Sequence, residues 1–263
     1  MCGIAGFVND MPIDVKCPVL QRMTDMIAHR GPDSEGHYID EHAALGHRRL
    51  SIIDLGGGQQ PIYNEDGSKV ITFNGEIYNY QTLREELIAA GHTFTTKSDT
   101  EVLLHGYEQW GVDLLQHGRC VCTFVIWDKK KQELFGARDH FGIKPFYYAK
   151  MNGTFMYASE IKSLLRHPDF VKELNAEALK PYMTFQYPAI GETFFKGVYK
   201  LPEGHYFTYR DGKMDIHRYY DEDFREGKQK LGELVNSVDQ TVCASVTAHQ
   251  IADVEVGVFL SNG

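Results

Sequence analysis

The chain has 263 residues, of which 43% are hydrophobic and 24% are charged, an ordinary balance for a globular protein. The net charge of −9 is spread along the sequence, and no basic stripe suggests a nucleic-acid partner. No apolar stretch approaches the roughly 18 residues of a membrane helix, and no basic region precedes the short apolar start of the chain. We therefore expect a cytoplasmic protein that binds neither nucleic acid nor a membrane.

The five cysteines do not suggest a disulfide framework, because their number is odd in a chain of this size. Cys120 and Cys122 lie in an apolar, strand-like run and have no second cysteine or histidine pair at the spacing of a zinc site. These two side chains are expected in the core or on a strand face. No metal ligand is predicted in this chain.

Strands with a few helices between them are predicted over the first 160 residues. The helices are predicted over 19–29, 81–90, 98–110 and 160–166. The strands are predicted over 3–8, 43–53, 70–73, 121–127, 133–137, 146–148 and 155–157. Ser98 and Glu101 have the spacing of a capping box at the start of the third helix. The dominance of strands favours an α+β layered sandwich over alternating βαβ units.

From about residue 167 the composition changes. The pattern predicts a short helix over 173–182, a meander of short strands over 193–219, an amphipathic helix over 230–249 and an apolar strand over 254–260. A strand that enters the turn at Ser261-Asn262-Gly263 is how a new α/β domain begins, so we expect the chain to be cut off there. The predicted parts are a first domain over 1–190, a strand-rich connection over 191–229, and the first helix and strand of a truncated second domain over 230–263.

Cys2 stands directly behind the initiator methionine. Removal of Met1 would leave a thiol and a free α-amine on one residue, and an α-amine with a pKa of about 7.7–8.0 is partly unprotonated near neutrality. Activation of a nucleophile by the amine of its own residue is an established arrangement in covalent catalysis. The alternative is that Cys2 is a small buried side chain at the start of a strand.

Several further motifs follow Cys2 in the order found in one enzyme family. They are His29-Arg30-Gly31-Pro32-Asp33, Gly46-His47-Arg48-Arg49-Leu50-Ser51-Ile52-Ile53-Asp54, Phe73-Asn74-Gly75-Glu76-Ile77-Tyr78-Asn79, Ser98-Asp99-Thr100-Glu101-Val102 and Arg138-Asp139-His140-Phe141-Gly142-Ile143-Lys144-Pro145. Over essentially its whole length the chain resembles the glutaminase domain of glutamine-hydrolysing asparagine synthetases, a class II amidotransferase domain with an N-terminal nucleophile (Ntn). The resemblance implies an Ntn-hydrolase-like αββα sandwich of antiparallel sheets.

The resemblance also implies a catalytic set for the hydrolysis of L-glutamine. Cys2 would be the nucleophile, with its own α-amine as general base once Met1 is removed. The Asn74 side-chain amide and the Gly75 N–H would form the oxyanion hole. Their spacing alone, however, is typical of an ordinary hairpin turn at Asn74-Gly75.

The amino-acid end of glutamine would be held by two charged side chains. By the resemblance, Arg49 binds the α-carboxylate in bidentate fashion and Asp99 binds the ammonium group. Without the resemblance, Arg49 reads as a surface strand residue and Asp99 as a favourable charge at a helix N-terminus. Three further residues are expected beside the substrate: Leu50, Ile52 and Glu76. Three others are expected to order the loop that closes the pocket: His29, Arg30 and Asp33.

In the family, a second domain uses ATP and Mg²⁺ to make asparagine from aspartate and the ammonia released by the first. That domain opens with a pyrophosphate-binding loop where this chain has Ser261-Asn262-Gly263, so no cofactor is expected within the chain itself. The missing domain is the expected ammonia acceptor, and a homodimer is left open because full-length members are often dimers. Two alternatives also stay open: the glutaminase half of another class II amidotransferase, and a non-catalytic docking or regulatory domain.

Overall fold

Two six-stranded sheets form the centre of the chain in a computed structural model, which describes residues 1–187, 191–227 and 229–259. The strands are β1 (Gly3–Val8), β2 (Ser34–Ile39), β3 (Ala43–Arg49), β4 (Ile62–Tyr63), β5 (Lys69–Ile77), β6 (Cys120–Asp128), β7 (Glu133–Arg138), β8 (Tyr147–Met151), β9 (Thr154–Ala158), β10 (Val198–Lys200), β11 (His205–Arg210) and β12 (Lys213–Arg218). The α-helices are α1 (Ile13–Asp25), α2 (Tyr80–Ala89), α3 (Asp99–Trp110), α4 (Leu114–His117), α5 (Ile161–Leu164), α6 (Ala176–Phe185) and α7 (Leu231–Ala248).

The strand order places the N-terminal strand in the interior of the first sheet. That sheet runs β10-β8-β9-β1-β3-β2, and the second sheet runs β12-β11-β7-β6-β5-β4. Neighbouring strands are antiparallel throughout both sheets. Short turns join several neighbours, and a short turn can connect only antiparallel strands.

Apolar side chains fill three layers of contact around the sheets. The inner faces of the two sheets pack on each other through large buried side chains such as Tyr157 from the first and Trp127 from the second. Helix α1 covers the outer face of the first sheet with Leu20, and α3 covers the outer face of the second with Leu103. Each such side chain stabilises the fold by about 1.5–3 kcal/mol on burial. The predicted αββα sandwich of antiparallel sheets is therefore confirmed.

Helix α1 begins earlier than predicted, at Ile13 rather than at residue 19, and contains Pro18. A proline inside a helix removes one backbone hydrogen bond and costs about 3 kcal/mol. The helix nevertheless continues because its apolar face packs on the first sheet through buried Val19, Leu20 and Met23. Tertiary packing thus extends a helix that the local sequence disfavours.

The strand predicted over 254–260 is wrong for the residues that can be described. Residues 254–259 form no strand, and 260–263, which include the predicted Ser261-Asn262-Gly263 turn, lie outside the described residues. A strand needs a neighbour for its backbone hydrogen bonds, and none of the described strands pairs with this segment. The predicted helix before it is present as α7, but its apolar stripe is exposed, with Leu234 and Val238 at 47% and 55%.

The connection predicted over 191–229 contributes strands to both sheets. Strand β10 pairs with β8 in the first sheet, and β11 pairs with β7 in the second. The two sheets therefore continue across the boundary placed at residue 190, and the division into three parts stays a prediction. Among the helices of the described ranges, α7 included, none has the length and apolar character needed to cross a membrane.

Asp40 joins the turn between β2 and β3 to the second sheet. Its Oδ1 accepts hydrogen bonds from the backbone N–H groups of His42 and Ala43, at 2.9 and 2.6 Å. Its Oδ2 accepts from the Trp127 indole at 2.7 Å and from the Tyr38 hydroxyl. Since Trp127 is buried in β6, this carboxylate satisfies an indole N–H inside the sandwich.

We expect Asp40→Ala to lower the free energy of unfolding by about 3 kcal/mol. The substitution leaves the buried indole N–H of Trp127 without an acceptor and removes the charge-assisted hydrogen bonds of the turn. Urea unfolding followed by tryptophan fluorescence measures the change. The matched control is Asp10→Ala, whose side chain is 96% exposed, and it should stay within about 0.5 kcal/mol of the parent. Equal destabilisation by both variants would contradict the role given to Asp40.

Candidate active site

One pocket collects residues from five separate parts of the chain: the N-terminus, the end of β3 with its following loop, the middle of β5, the start of α3, and the loop between β7 and β8. Its lining is Met1, Cys2, Arg49, Leu50, Ile52, Ile53, Gly58, Gln60, Phe73, Asn74, Gly75, Glu76, Ser98, Asp99, Thr100 and Lys144. Every site residue predicted from the sequence belongs to this lining: Cys2, Arg49, Leu50, Ile52, Asn74, Gly75, Glu76 and Asp99. The structure thus brings the whole predicted set together.

Cys2 lies directly before β1, with its thiol against the backbone of Leu50. The Sγ atom is 3.5 Å from the Leu50 carbonyl oxygen and 3.4 Å from the Leu50 nitrogen. Burial raises the pKa of the Cys2 thiol, and the backbone hydrogen bond with Leu50 opposes this only in part. The thiol is therefore protonated at neutral pH and needs a base before it can act as a nucleophile.

Met1 occupies one side of the same pocket. Its Sδ atom is 3.0 Å from the Lys144 Nζ. Burial lowers the pKa of the Met1 α-amine, and the charges of Arg30 and Lys144 lower it further. While Met1 is attached, the nitrogen of Cys2 belongs to a peptide bond and has no useful basicity.

The guanidinium group of Arg49 is buried and faces the loop that follows β3. It donates to the carbonyl oxygens of Ile53 at 2.9 Å, of Asp54 at 2.7 Å and of Leu55 at 3.4 Å. These contacts use three of the five N–H donors of an arginine, and the other two have no hydrogen-bond partner among the described residues. Arg49 therefore shapes the loop and still has donors for a bound anion. The reading of Arg49 as a surface strand residue is wrong.

Asn74 and Gly75 form no turn, contrary to what their spacing alone indicates. They lie inside β5, where Asn74 pairs with Thr123 and Gly75 with Cys122 of β6. A side chain at Gly75 would meet the Val121 carbonyl oxygen at 2.4 Å, so close contact between strands selects glycine here. Continuous pairing with β6 over the full length of β5 outweighs the local turn preference.

The Asn74 side chain is an unusual polar group in this fold. It is 1% exposed, and neither its oxygen nor its nitrogen has a hydrogen-bond partner within the described parts of the chain. Leaving such a group unsatisfied costs about 1–3 kcal/mol. An amide that faces a pocket without a partner is suited to bind a polar ligand atom.

Two residues that the sequence analysis missed hold β5 in place next to Asn74. The Gln60 Oε1 accepts from the Phe73 N–H at 2.6 Å, and the His47 Nε2 lies 2.9 Å from the Phe73 carbonyl oxygen. Burial lowers the pKa of His47 to about 3, against the hydrogen bond with Phe73, so the imidazole is neutral. His47 lies in the same motif as Arg49 and Gln60 lies in none, but nothing in the sequence indicates that either side chain contacts Phe73, because both contacts are made across the fold.

Asp99 is the first residue of α3, and its carboxylate is buried at the pocket. Its Oδ2 accepts from the Ile77 N–H at 3.1 Å. Burial raises the pKa of Asp99 to about 7; the Ile77 hydrogen bond opposes this shift, and the charge of Glu76 adds to it. This carboxylate is thus poised to gain or lose its proton near neutrality, and a cation beside it would favour the ionised form.

The capping box predicted at the start of α3 is present only in part. Ser98 is the N-cap, and its Oγ accepts from the Thr100 N–H at 3.2 Å. The Glu101 carboxylate does not accept from the Ser98 N–H, as a capping box requires. It accepts from the N–H groups of Thr95 and Thr96, both at 2.7 Å. The carboxylate instead fixes the segment that leads into the helix.

Two of the three residues expected to order the pocket loop make hydrogen bonds to the backbone next to the site. Arg30 Nε donates to the Cys2 carbonyl oxygen at 2.9 Å, and Asp33 Oδ2 accepts from the Ser51 N–H at 2.8 Å. His29 reaches Glu160 at 2.9 Å and lies further from the pocket. The first two fix the backbone on both sides of the thiol.

Comparison with known proteins identifies the family. The glutamine amidotransferase domain family matches residues 1–220. The chain belongs to this family. Asparagine synthetase [glutamine-hydrolyzing] 1 of Bacillus subtilis (strain 168) is 43% identical over 267 residues, which cover 100% of this chain and 42% of that protein. Asparagine synthetase [glutamine-hydrolyzing] 3 of the same organism is 36% identical over 270 residues, which cover 100% of this chain and 44% of that protein.

The chain thus spans less than half the length of these two relatives. Among solved structures, glutamine phosphoribosylpyrophosphate amidotransferase from B. subtilis, complexed with ADP and GMP, has a TM-score of 0.62 at 18% identity. The match covers 84% of this chain and 50% of that one. At this identity the likeness concerns the fold alone, and it confirms the Ntn-hydrolase-like sandwich.

We expect Gly58→Ala to lower the melting temperature, because a Cβ at this position would lie 2.6 Å from the Arg49 Nη2, which is held by loop carbonyls. Overpacking of this kind costs about 1–3 kcal/mol. Differential scanning calorimetry provides the measurement. Gly56→Ala in the same loop is the matched control, since no atom lies within 4 Å of its added Cβ. A control that melts as early as Gly58→Ala would mean that the contact with Arg49 is not the cause.

Proposed function

We propose that this chain hydrolyses the side-chain amide of L-glutamine to glutamate and ammonia, with Cys2 as the nucleophile. The observation that carries the proposal is the pocket itself, which places the Cys2 thiol beside Arg49, Asn74 and Asp99. A thiol, an amide donor, a cation and an anion are the groups needed to cleave an amide on an amino acid. Membership of the glutamine amidotransferase domain family supports the same reaction.

The reaction requires that Met1 be removed first. The free α-amine of Cys2 then takes the thiol proton while Sγ forms a bond to the amide carbon of glutamine. The resulting ammonium group returns a proton to the leaving nitrogen, the carbon–nitrogen bond breaks, and ammonia leaves behind a γ-glutamyl thioester. Water, deprotonated by the same amine, attacks the thioester, which releases glutamate and restores the thiol. Each step uses groups of this chain alone.

The oxyanion of the tetrahedral intermediate is assigned to Asn74 and Gly75. The buried Asn74 amide has no partner among the described residues, so it can bind an oxyanion without first breaking another hydrogen bond. The rigid pairing of β5 with β6 keeps the Asn74 amide and the Gly75 backbone in place. Donors fixed before the charge develops stabilise a transition state more than donors that must reorganise.

Arg49 and Asp99 are assigned to the amino-acid end of glutamine. The remaining guanidinium donors of Arg49 suit an α-carboxylate, and the ionised Asp99 suits an ammonium group. Glu76 adds negative charge next to Asp99. Leu50 and Ile52 complete this side of the pocket.

The fate of the ammonia is a further part of the proposal. We infer that an ATP- and Mg²⁺-dependent unit uses it to convert aspartate to asparagine, because the relatives that match the whole chain are named glutamine-hydrolysing asparagine synthetases. A cytoplasmic location suits this metabolism, and a homodimer is the assembly to be tested. Transfer of ¹⁵N from the glutamine amide into asparagine, followed by mass spectrometry in cells that express the protein, checks the acceptor.

We expect Cys2→Ala to abolish the release of glutamate and ammonia from glutamine, because no thioester can form. An enzyme-coupled ammonia assay measures the loss. Cys17→Ala is the matched control, since Cys17 is exposed on α1, away from the pocket, and it should retain the parent rate. Activity that survives Cys2→Ala would refute the assigned nucleophile, and a folded, processed chain that is inert towards glutamine would favour a docking role.

Activity is also expected to depend on the removal of Met1. A preparation that keeps Met1 should be inactive, because the Cys2 nitrogen is then an amide and cannot accept the thiol proton. Treatment with methionine aminopeptidase should restore activity in step with the loss of one methionine, as followed by intact mass. Full activity in a species that retains Met1 throughout would contradict the proposed base.

The affinity for glutamine is expected to fall as the pH falls through about 7, because protonation of Asp99 removes the anion that binds the ammonium group. Calorimetry on Cys2→Ala separates binding from chemistry, and the Kd should rise up to about tenfold per pH unit below the pKa. Asp99→Asn should bind weakly at every pH. A Kd for Cys2→Ala that does not change with pH would contradict this role.

Unfolding measurements provide the control for Asp99→Asn. Burial makes the pKa of Asp99 higher in the folded chain than in the unfolded chain. The protonated carboxyl therefore stabilises the folded chain at low pH, and this stabilisation is lost as the pH rises through about 7. Above pH 7, Asp99→Asn should therefore unfold no more easily than the parent. Weak binding by a variant of normal stability assigns the effect to the lost charge.

A further inference from the structure

Outside the pocket, four side chains converge beside helix α3. Glu65 comes from the turn between β4 and β5, His92 from the segment after α2, and His105 and Glu108 from α3 itself. One ligand atom of each residue lies within 4.8 Å of the others. In the sequence, only the i, i+3 spacing of His105 and Glu108 hints at this arrangement.

Three of the nitrogen–oxygen separations within this cluster match those of a tetrahedral metal site. Zinc–nitrogen and zinc–oxygen bonds of about 2.0–2.2 Å put the ligand atoms of a tetrahedron about 3.3–3.5 Å apart. The His105 Nδ1 is 3.4 Å from one Glu65 oxygen and 3.3 Å from a Glu108 oxygen. The His92 Nδ1 is 3.3 Å from the other Glu65 oxygen. Rotation of the Glu65 carboxylate would direct one oxygen towards both imidazoles.

The second nitrogen of each imidazole already has an oxygen beside it. The His105 Nε2 is 3.4 Å from the Glu101 Oε1, and the His92 Nε2 is 3.2 Å from the Gln109 Oε1. Metal-binding histidines commonly donate this second N–H to such an oxygen, which leaves the other nitrogen free for the metal. In both rings the free nitrogen would be Nδ1, the atom that faces the cluster.

Burial and charge also suit a divalent cation. The His105 side chain is fully buried, whereas the Glu65 side chain is 36% exposed, so the cluster opens to solvent on the Glu65 side. The carboxylates of Glu65 and Glu108 together balance two positive charges. The Glu108 oxygen that faces away from the cluster is held by Asn64 at 2.7 Å and Lys69 at 3.3 Å.

We propose that Glu65, His92, His105 and Glu108 together bind one Zn²⁺ ion. Two imidazole nitrogens and two carboxylate oxygens fill a tetrahedral coordination shell, and a shell in which the protein supplies all four ligands is characteristic of structural rather than catalytic zinc. The ion would fix the β4–β5 turn and the segment after α2 to α3, the helix whose first residue is Asp99. The proposal does not depend on the proposed hydrolysis of glutamine. Without zinc, the same groups form an ionic cluster around His105.

The test uses the whole chain after treatment with a chelator and dialysis. Calorimetric titration with Zn²⁺ should show one site per chain, and Co²⁺ in its place should give the intense visible absorption of tetrahedral coordination. The same results are expected for Cys2→Ala, because the pocket thiol is not a ligand. The absence of stoichiometric binding, an octahedral Co²⁺ spectrum, or thiolate absorption that disappears in Cys2→Ala would overturn the proposal.

Single substitutions locate the site. Gln109→Leu, which removes only an outer acceptor, should weaken Zn²⁺ binding by about 10–100-fold. His92→Gln and Glu65→Gln, which each remove a ligand, should weaken it by more than Gln109→Leu does. His42→Gln is the matched control, since this imidazole lies 3.5 Å from Asp10 and is not part of the cluster, and it should bind Zn²⁺ like the parent. Melting curves without metal show whether each variant is folded. Unchanged affinity in folded His92→Gln and Glu65→Gln would overturn the site.

Discussion

The pairing of β1 with β3 is the constraint on which the pocket depends. Its register places Gly3 opposite Arg48, so the residue before Gly3 meets the chain just after Arg48. This brings the thiol of Cys2 to the backbone of Leu50 and close to the side chain of Arg49. A shift of one residue in this register would move every side chain of β1 to the opposite face. The apolar layers on both faces of the sheet prevent such a shift.

The pocket combines groups that are individually unfavourable to bury. Burial raises the pKa of Cys2 and Asp99, and the Asn74 amide has no partner among the described residues. Each of these conditions opposes folding, and the packing of the two sheets offsets them. The same conditions prepare the pocket for a polar ligand, since an amino acid would supply the missing hydrogen-bond partner and the missing charges.

Helix α3 connects this pocket to the cluster proposed as a zinc site. Asp99 begins the helix at the pocket, and two residues later Glu101 fixes the preceding segment through Thr95 and Thr96. The next turn carries His105, whose imidazole contacts Glu101. Through Glu101, the cluster is therefore connected to the segment that leads into the helix.

The sequence by itself determined the sandwich, the family resemblance and eight of the residues that line the pocket. Runs in which apolar and polar residues alternate indicate which side chains are buried on one face of a sheet, and a motif contains residues that a particular reaction requires. Local patterns failed where distant partners decide the outcome. The turn expected at Asn74-Gly75 is a continuous strand because β6 pairs along its whole length, and α1 includes Pro18 because a sheet packs against it.

Only the tertiary structure placed His47 and Gln60 beneath the pocket and gathered Glu65, His92 and Glu108 around His105. Apart from the i, i+3 pair of His105 and Glu108, these contacts join residues that are well separated in the chain, and no spacing in the sequence encodes such a contact. The tertiary structure likewise decided the acidity of Asp99, since a pKa near 7 depends on how much water the fold removes from the carboxylate. A sequence specifies which groups are present, and their surroundings in the folded chain determine what those groups can do.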